Sequence, residues 1–220
     1  MATLFLSVTG IGIATNNKAP PNMERVTFVH YAKLTEYSKP TWDDTEDNFK
    51  LIMGGVRWFD TISYEVNPDG SGLDPDIVKS TLEASSEAWD SETSFELFAP
   101  PNITNESSIG YDGINRIVWS SLDPGIIGVT HLWIIPGAKE IVEFDMEFNT
   151  HYTWGNATAD PSVMDLQDIA THEFGHNGLD DLRPPKDWAL TMYAYSSSGE
   201  TYKRTLGTGD ILGIQELYGV

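Results

Sequence analysis

The alternation of apolar and polar positions is regular over most of the chain and weak at its start. Thr61-Ile62-Ser63-Tyr64-Glu65-Val66 alternates with the two-residue period of a strand, and Asn67-Pro68-Asp69-Gly70 closes it with a turn. Asp74-Pro75 follows as a helix N-cap with proline in the first helical position. Val78, Leu82, Ser85 and Trp89 then recur at helical spacing, which predicts a helix over about 75–90. Short strands are expected at Ser94–Phe98, Arg116–Trp119, Val129–Ile135 and Glu140–Phe148. Leu166, Ile169, Ala170 and Phe174 give a second helix a buried face, with Asp165 as its cap and Asn177-Gly178 as its stop. A last helix is expected over about Gly209–Tyr218, capped by Thr208, with Ile211, Ile214 and Leu217 inward. One helix followed by mostly strands is the pattern of an α+β domain, a twisted sheet backed by helices.

Upstream of Lys50 the periodicity fades. Residues 16–49 carry Pro20-Pro21, Lys39-Pro40 and the acidic run Asp43-Asp44-Thr45-Glu46-Asp47, and read as a linker or pro-segment. Within them Val26-Thr27-Phe28-Val29-His30-Tyr31 is a candidate strand. The compact domain is expected to begin near Lys50 and fill 50–220. Residues 1–15 form a short apolar run with two readings: a signal-peptide core lacking its positive leader, or a buried first strand. The run is too short for a stable membrane span.

A chain of 220 residues holds one domain of ordinary size with an appendage. A formal charge of −20 argues against a nucleic-acid partner, since phosphate binding wants the opposite sign. It suits solubility or divalent cations. The absence of cysteine excludes disulfides, a thiolate nucleophile and a Cys-ligated metal. Sequons at Asn102, Asn105 and Asn156 are consistent with an exported, secreted chain, though such tripeptides are common by chance.

The chemistry concentrates in THEFGHNGLDDL, Thr171–Leu182. Histidines at i and i+4 of one helix, His172 and His176, aim at a common point, which suits tetrahedral zinc. Glu173 lies about a third of a turn round, placed to take a proton from a water on the metal. The plain alternative is a pair of helix-surface histidines that happen to flank a glutamate.

His172-Glu173-Phe174-Gly175-His176 with Gly178-Leu179-Asp180-Asp181 resembles the long zinc motif of the metzincin peptidases. Ala189-Leu190-Thr191-Met192-Tyr193-Ala194 resembles their methionine turn, and Leu206–Gly219 resembles the closing helix of the matrixins. Upstream, Glu140–Asn149 looks like the edge strand of matrixin catalytic domains, and Ile62–Val66 with Asp74–Trp89 looks like their first strand and helix. The resemblance implies a mostly parallel sheet with an antiparallel edge strand, two long helices behind it, and a short C-terminal subdomain ending in a helix. It implies a zinc endopeptidase acting on polypeptides, with His172, His176 and a third ligand holding Zn2+, Glu173 as general base and Met192 in the methionine turn.

The motif departs from the family in one place. Gly178 follows His176 by two residues, one short of the family spacing, while Gly178 to Asp181 keeps the expected three. Asp181 is then the third ligand, as in the snapalysin variant, with Asp180 as the fallback. Holding the overall spacing instead would put Leu182 there, which cannot bind zinc. The missing residue is worth about 1.5 Å of rise and about 100° of turn, which the loop must absorb. The missing cysteine also rules out the cysteine-switch latency of many matrixins. If residues 16–49 inhibit, they do so sterically or through another ligand, with His30 and the acidic run as candidates.

By the same resemblance, substrate would lie extended along Ile141, Val142, Glu143 and Phe144, with the loop around Tyr193 and Tyr195 walling the pocket for the side chain after the cut. Some metzincins place an oxyanion-stabilising tyrosine two residues after the methionine, and Ala194 stands there. Asp112-Gly113 and Asp123-Pro124-Gly125 offer oxygens for Ca2+, and turn chemistry explains them equally well. His131 and His151 read as ordinary surface residues. Two other functions stay open: a non-catalytic matrixin-like binding module, and a zinc hydrolase of a non-peptide bond. Oligomeric state is not legible.

Overall fold

Asp74 starts the first helix as its chemistry dictates: its carboxylate accepts from the Asp76 N–H at 2.9 Å, and Pro75 takes the position that needs no donor. Helix α1 runs Pro75–Asp90 and buries Val78, Leu82, Ser85 and Trp89, the stripe its spacing predicts. The computed structural model describes residues 22–33, 46–184 and 187–220. The apolar run 1–15, Pro20-Pro21, Lys39-Pro40, and Asp43, Asp44 and Thr45 lie outside the described residues.

The strands are β1 (Glu24–Ala32), β2 (Tyr64–Val66), β3 (Asn102–Ile103), β4 (Asn115–Ser120), β5 (Ile126–Ile135), β6 (Glu140–Asn149), β7 (Trp154–Gly155), β8 (Met164–Asp165) and β9 (Tyr195–Ser196). Helices α2 (Leu166–Gly175) and α3 (Thr208–Tyr218) complete the set. The main sheet has the order β3-β2-β4-β6-β5-β1-β9. Every pairing in it is parallel except those of β5, which runs antiparallel to both β6 and β1. The result is the α+β, mostly parallel sheet with an antiparallel strand that the resemblance implied, except that this strand, β5, lies between β6 and β1 and not at the edge.

Four sequence readings need correction. Glu140–Asn149 is not an edge strand: β6 lies inside the sheet, paired with β4 on one side and β5 on the other. Ile141 and Phe144 belong to the hydrophobic core, and the buried Glu143 carboxylate accepts the N–H groups of Asp112 and Gly113. Ser94–Phe98 forms no strand beyond a bridge from Ile62 to Phe98, because Asp90 accepts from the N–H of Leu97 and Phe98 and ties that segment to the end of α1. The cap of α3 is Gly207 rather than Thr208. Finally, the candidate strand Val26–Tyr31 lies within β1, whose partners are eight positions of β5, so this part of residues 16–49 is no linker. The packed body therefore reaches back past Lys50 to Glu24.

Helices α1 and α2 pack on each other and share one aromatic cluster with the sheet. Phe174 lies 5.4 Å from Tyr64 and 5.0 Å from Phe98, ring centre to ring centre. Trp89, fully buried, donates its indole N–H to the Thr171 carbonyl at 2.8 Å and so joins α1 directly to α2. Trp89→Ala opens a cavity and strands that carbonyl, at about 3–5 kcal/mol. For a chain of this size the expected loss in thermal midpoint is roughly 6–20 °C, read by circular dichroism. A shift of about 2 °C or less would mean the two helices do not depend on this contact.

Candidate metal centre

Helix α2 is short because its role is to present a few side chains. Asp165 accepts the Asp168 N–H at 2.9 Å at one end. At the other the helix gives way to tighter turns, with His176 N–H on the Glu173 carbonyl and Asn177 N–H on the Phe174 carbonyl. This tight exit is where the missing residue is absorbed. Asp180 then bonds through its N–H to the Lys50 carbonyl, and Leu182 N–H to the Met192 carbonyl at 2.8 Å. Between these two anchors sits Asp181.

The structure brings three of the expected ligands together. His172 Nε2 and His176 Nε2 stand 3.5 and 3.7 Å from Asp181 Oδ1. Both histidines are fully buried and Asp181 nearly so. Each imidazole commits Nδ1 to a backbone carbonyl, His172 to Thr191 at 2.7 Å and His176 to Leu179 at 3.0 Å. Carbonyls accept only, so Nδ1 carries the proton and each Nε2 presents a lone pair. Burial also depresses the pKa of both rings, that of His172 to about 3, which favours neutral imidazoles. Two lone pairs and a carboxylate thus converge, and His172 Nε2, His176 Nε2 and Asp181 Oδ1 have no hydrogen-bond partner among the described residues. Three acceptors facing one another repel unless a cation lies between them. Ligands at about 2.0–2.2 Å from tetrahedral zinc stand about 3.3–3.6 Å apart, so the spacing fits that ion. Asp180, the fallback, points to Lys50 at 2.5 Å instead.

Glu173 sits beside this set. Thr130 of β5 donates its hydroxyl to Oε2 at 2.5 Å, leaving Oε1 without a hydrogen-bond partner. Burial pushes the carboxyl up to about 8, against the Thr130 hydrogen bond. Gly128 makes room for it: a Cβ there would lie 2.9 Å from Oε1.

The turn around Met192, expected as a methionine turn, packs against α2 behind the two histidines. Tyr193 N–H bonds to the Leu190 carbonyl at 3.1 Å, and Gly175 must be glycine because a Cβ would run into Met192 Sδ and the Trp89 ring. Asp210, in the first turn of α3, accepts the N–H of Thr191 at 2.7 Å, of Met192 at 3.1 Å and of Gly207 at 2.9 Å. Thr191 in turn holds His172, so Asp210 is a positioning residue two steps from the ligand atoms. Asp210→Asn is expected to weaken zinc binding about 10–100-fold in chelator competition. Unchanged affinity would show that Asp210 serves α3 alone.

Several residues at the centre were not legible as such. Thr130, Ser196 and Lys203 have no motif, and only strand alternation marks Thr130 as inward. His30 of β1, fully buried, places Nδ1 3.3 Å from Glu173 Oε1 and Nε2 3.0 Å from Ser196 Oγ. Lys203, also fully buried, donates to the Tyr193 carbonyl and lies 3.3 Å from His30 Nε2. Tyr195 lies in β9 beside β1, while Tyr193 stacks on Trp188 at 5.2 Å. Val142 stays with β6, inside the sheet. His131 bonds to Thr27 and Glu147, away from the ligands. His151 and the Asp112 and Asp123 turns join no metal-ligating cluster among the described residues.

The Matrixin family model matches residues 57–219, most of the chain. Among curated proteins, matrix metalloproteinase-25 of Homo sapiens is 25% identical over 185 residues, covering 76% of this chain and 30% of that protein. The chain therefore spans less than a third of that relative's length.

Proposed function

Because the chain belongs to the matrixin family, whose general activity is zinc-dependent peptide hydrolysis, we propose that it is a zinc endopeptidase using His172, His176 and Asp181 as ligands and Glu173 as general base. The observation that carries this reading is the convergence of three orphaned acceptor atoms beside an uncommitted glutamate oxygen. Zinc bound there would act as a Lewis acid toward the scissile carbonyl and toward water. Glu173 Oε1 would accept a proton from the attacking water and pass it to the leaving amine, while Thr130 fixes the carboxylate through its other oxygen. The carbonyls of Thr191 and Leu179 hold the two rings in one tautomer.

Substrate would lie extended along β5, whose Gly128 and Thr130 adjoin Glu173, rather than along β6. The loop from Tyr193 to Ser196 would wall the pocket beside His172, and main-chain pairing would supply much of the grip. Met192 would carry the methionine turn. A polypeptide partner and an extracytoplasmic location follow from the same family reading. No helix among the described residues is long and apolar enough to cross a membrane. The rival reading, a non-catalytic binding module, drew on the shortened motif; the separations at Asp181 support the catalytic one instead.

The test joins metal content to cleavage of a denatured protein. Because His30 lies against Glu173, the chain is assayed as wild type and as His30→Gly. One zinc per chain, with cleavage in both forms no better than their Glu173→Ala counterparts, would end the peptidase reading.

A further inference from the structure

A lysine is almost never sealed inside a protein unless its charge is used there. Lys203, in the tight turn Tyr202–Arg204, is fully buried. Burial pulls its pKa down from the ordinary lysine range, against the opposite pull of Asp168 and Glu200. A side chain needed only for packing would be apolar, because an ammonium gives up its water on burial.

The ammonium is spent on main chain. It donates to the Tyr193 carbonyl and, at 3.3 Å, to that of Tyr195, and its remaining direction faces His30 Nε2 at 3.3 Å. The carbonyls of this segment alternate. Those of Ala194 and Ser196 accept the N–H groups of Tyr31 and Lys33, while those of Tyr193 and Tyr195 turn the other way. β9 ends the sheet, with β1 on one side and no strand on the other among the described residues. Lys203 therefore supplies donors where a further strand would have supplied N–H groups, beside the Tyr195 N–H that Tyr193 also accepts. Its own backbone is tied elsewhere: the Lys203 N–H bonds to Asp168 Oδ1 at 2.7 Å, and Asp168 stands one turn before His172 on α2. One residue thus joins the helix that carries both histidines to the inner edge of the segment after Met192.

We propose that Lys203 is the positioning residue of the pocket wall: its ammonium holds the carbonyls of Tyr193 and Tyr195 in place against α2, and so fixes how large a side chain the pocket beside His172 admits. This rests on the peptidase reading for what enters the pocket. Lys203 supplies no atom to the cluster of His172, His176 and Asp181, so the wall can move while the ligand set stays whole. Without the ammonium, buried carbonyls lose their donor and the segment must shift to satisfy them. A displacement of about 1 Å is enough to spoil the fit of a bound side chain.

The test uses the full-length His30→Gly chain, in which the side chain lying against Glu173 is cleared. It is compared with the same chain carrying Lys203→Met, which keeps the length and loses the donors, or Lys203→Gln, which keeps a donor. The probes are two peptide hydroxamates that differ only in an isobutyl or a methyl side chain, bound to the zinc-loaded protein, and cleavage of a denatured protein is followed in parallel. The preference for isobutyl over methyl is expected to fall roughly tenfold in Lys203→Met and by less in Lys203→Gln. Zinc affinity in chelator competition should not change. Because the chain has no cysteine, Lys203→Cys, alkylated unfolded with bromoethylamine and refolded, regains an ammonium at this position alone. That form should recover the preference, and its counterpart made with propyl iodide should not. A role in stability alone would move the melting midpoint and leave the preference as it was. A preference, or an absence of binding, that is the same with lysine, methionine and glutamine overturns the proposal, and cleavage by those forms then leaves the peptidase reading intact. A preference that follows the ammonium, with no cleavage by any form, upholds Lys203 and ends the peptidase reading.

Discussion

Glu173→Ala, made in the His30→Gly chain, is expected to reduce peptide-bond cleavage about 10²–10⁴-fold while zinc stays at one per chain. The two halves of that result come from different atoms. Glu173 supplies no atom to the cluster of His172, His176 and Asp181, so its loss leaves the ligand set whole. Its Oε1 is the uncommitted acceptor beside that set, so its loss removes the group that would carry the proton. Thr130 is a useful control, because Thr130→Val leaves the carboxylate in place and removes only the hydrogen bond that aims it. A smaller effect than that of Glu173→Ala is expected there. Loss of zinc from Glu173→Ala would instead mean that this glutamate is a ligand.

Asp181→Asn should split by sign according to whether metal is present. With zinc, the affinity is expected to fall by more than the 10–100-fold typical of an outer-shell partner, since the only anionic ligand becomes neutral. The zinc-loaded variant then melts earlier than the loaded wild type, because tighter binding to the folded state raises its stability. Without zinc the order should vanish or reverse. In the metal-free protein, Asp181 Oδ1 faces two imidazole lone pairs at 3.5 and 3.7 Å, and an amide donor there relieves the clash of acceptors. Metal binding measured by chelator competition, with thermal melts in both states, reads all of this. Were Asp181 only a partner of Arg183, which lies 3.3 Å from Oδ2, the substitution would act alike with and without zinc.

The parts of the fold written in local chemistry were legible. Asp74-Pro75 starts α1 and Asp165 starts α2 because a cap needs only its own residue and the next turn. The histidines of α2 converge because helical spacing alone puts them on one side. What depended on distant partners was not legible. The sequence of β6 alternates like that of a half-exposed strand, yet Glu143 and Asp145 turn to the N–H groups of Gly110, Asp112, Gly113 and Arg116 rather than to water. Acidic residues so satisfied look like surface residues in a sequence. β1 was legible as the candidate strand Val26–Tyr31, but its place in the sheet was not. Its neighbours in the chain are irregular, and its partners β5 and β9 lie about a hundred and about 165 residues downstream. The reach of Asp181 was undecidable from spacing, because it depends on how tightly the chain leaves α2 and on the anchors at Lys50 and Met192.

The position of β1 also has a meaning in time. Synthesis runs from the N-terminus, so His30 is made about 140 residues before Glu173 and earlier still than Met192 and Asp210. The gap between β5 and β9 that β1 fills is thus built around a strand already waiting for it. Whenever the residues around His172 and Glu173 come together, the strand that pairs with β5 and β9 beside them has already been made.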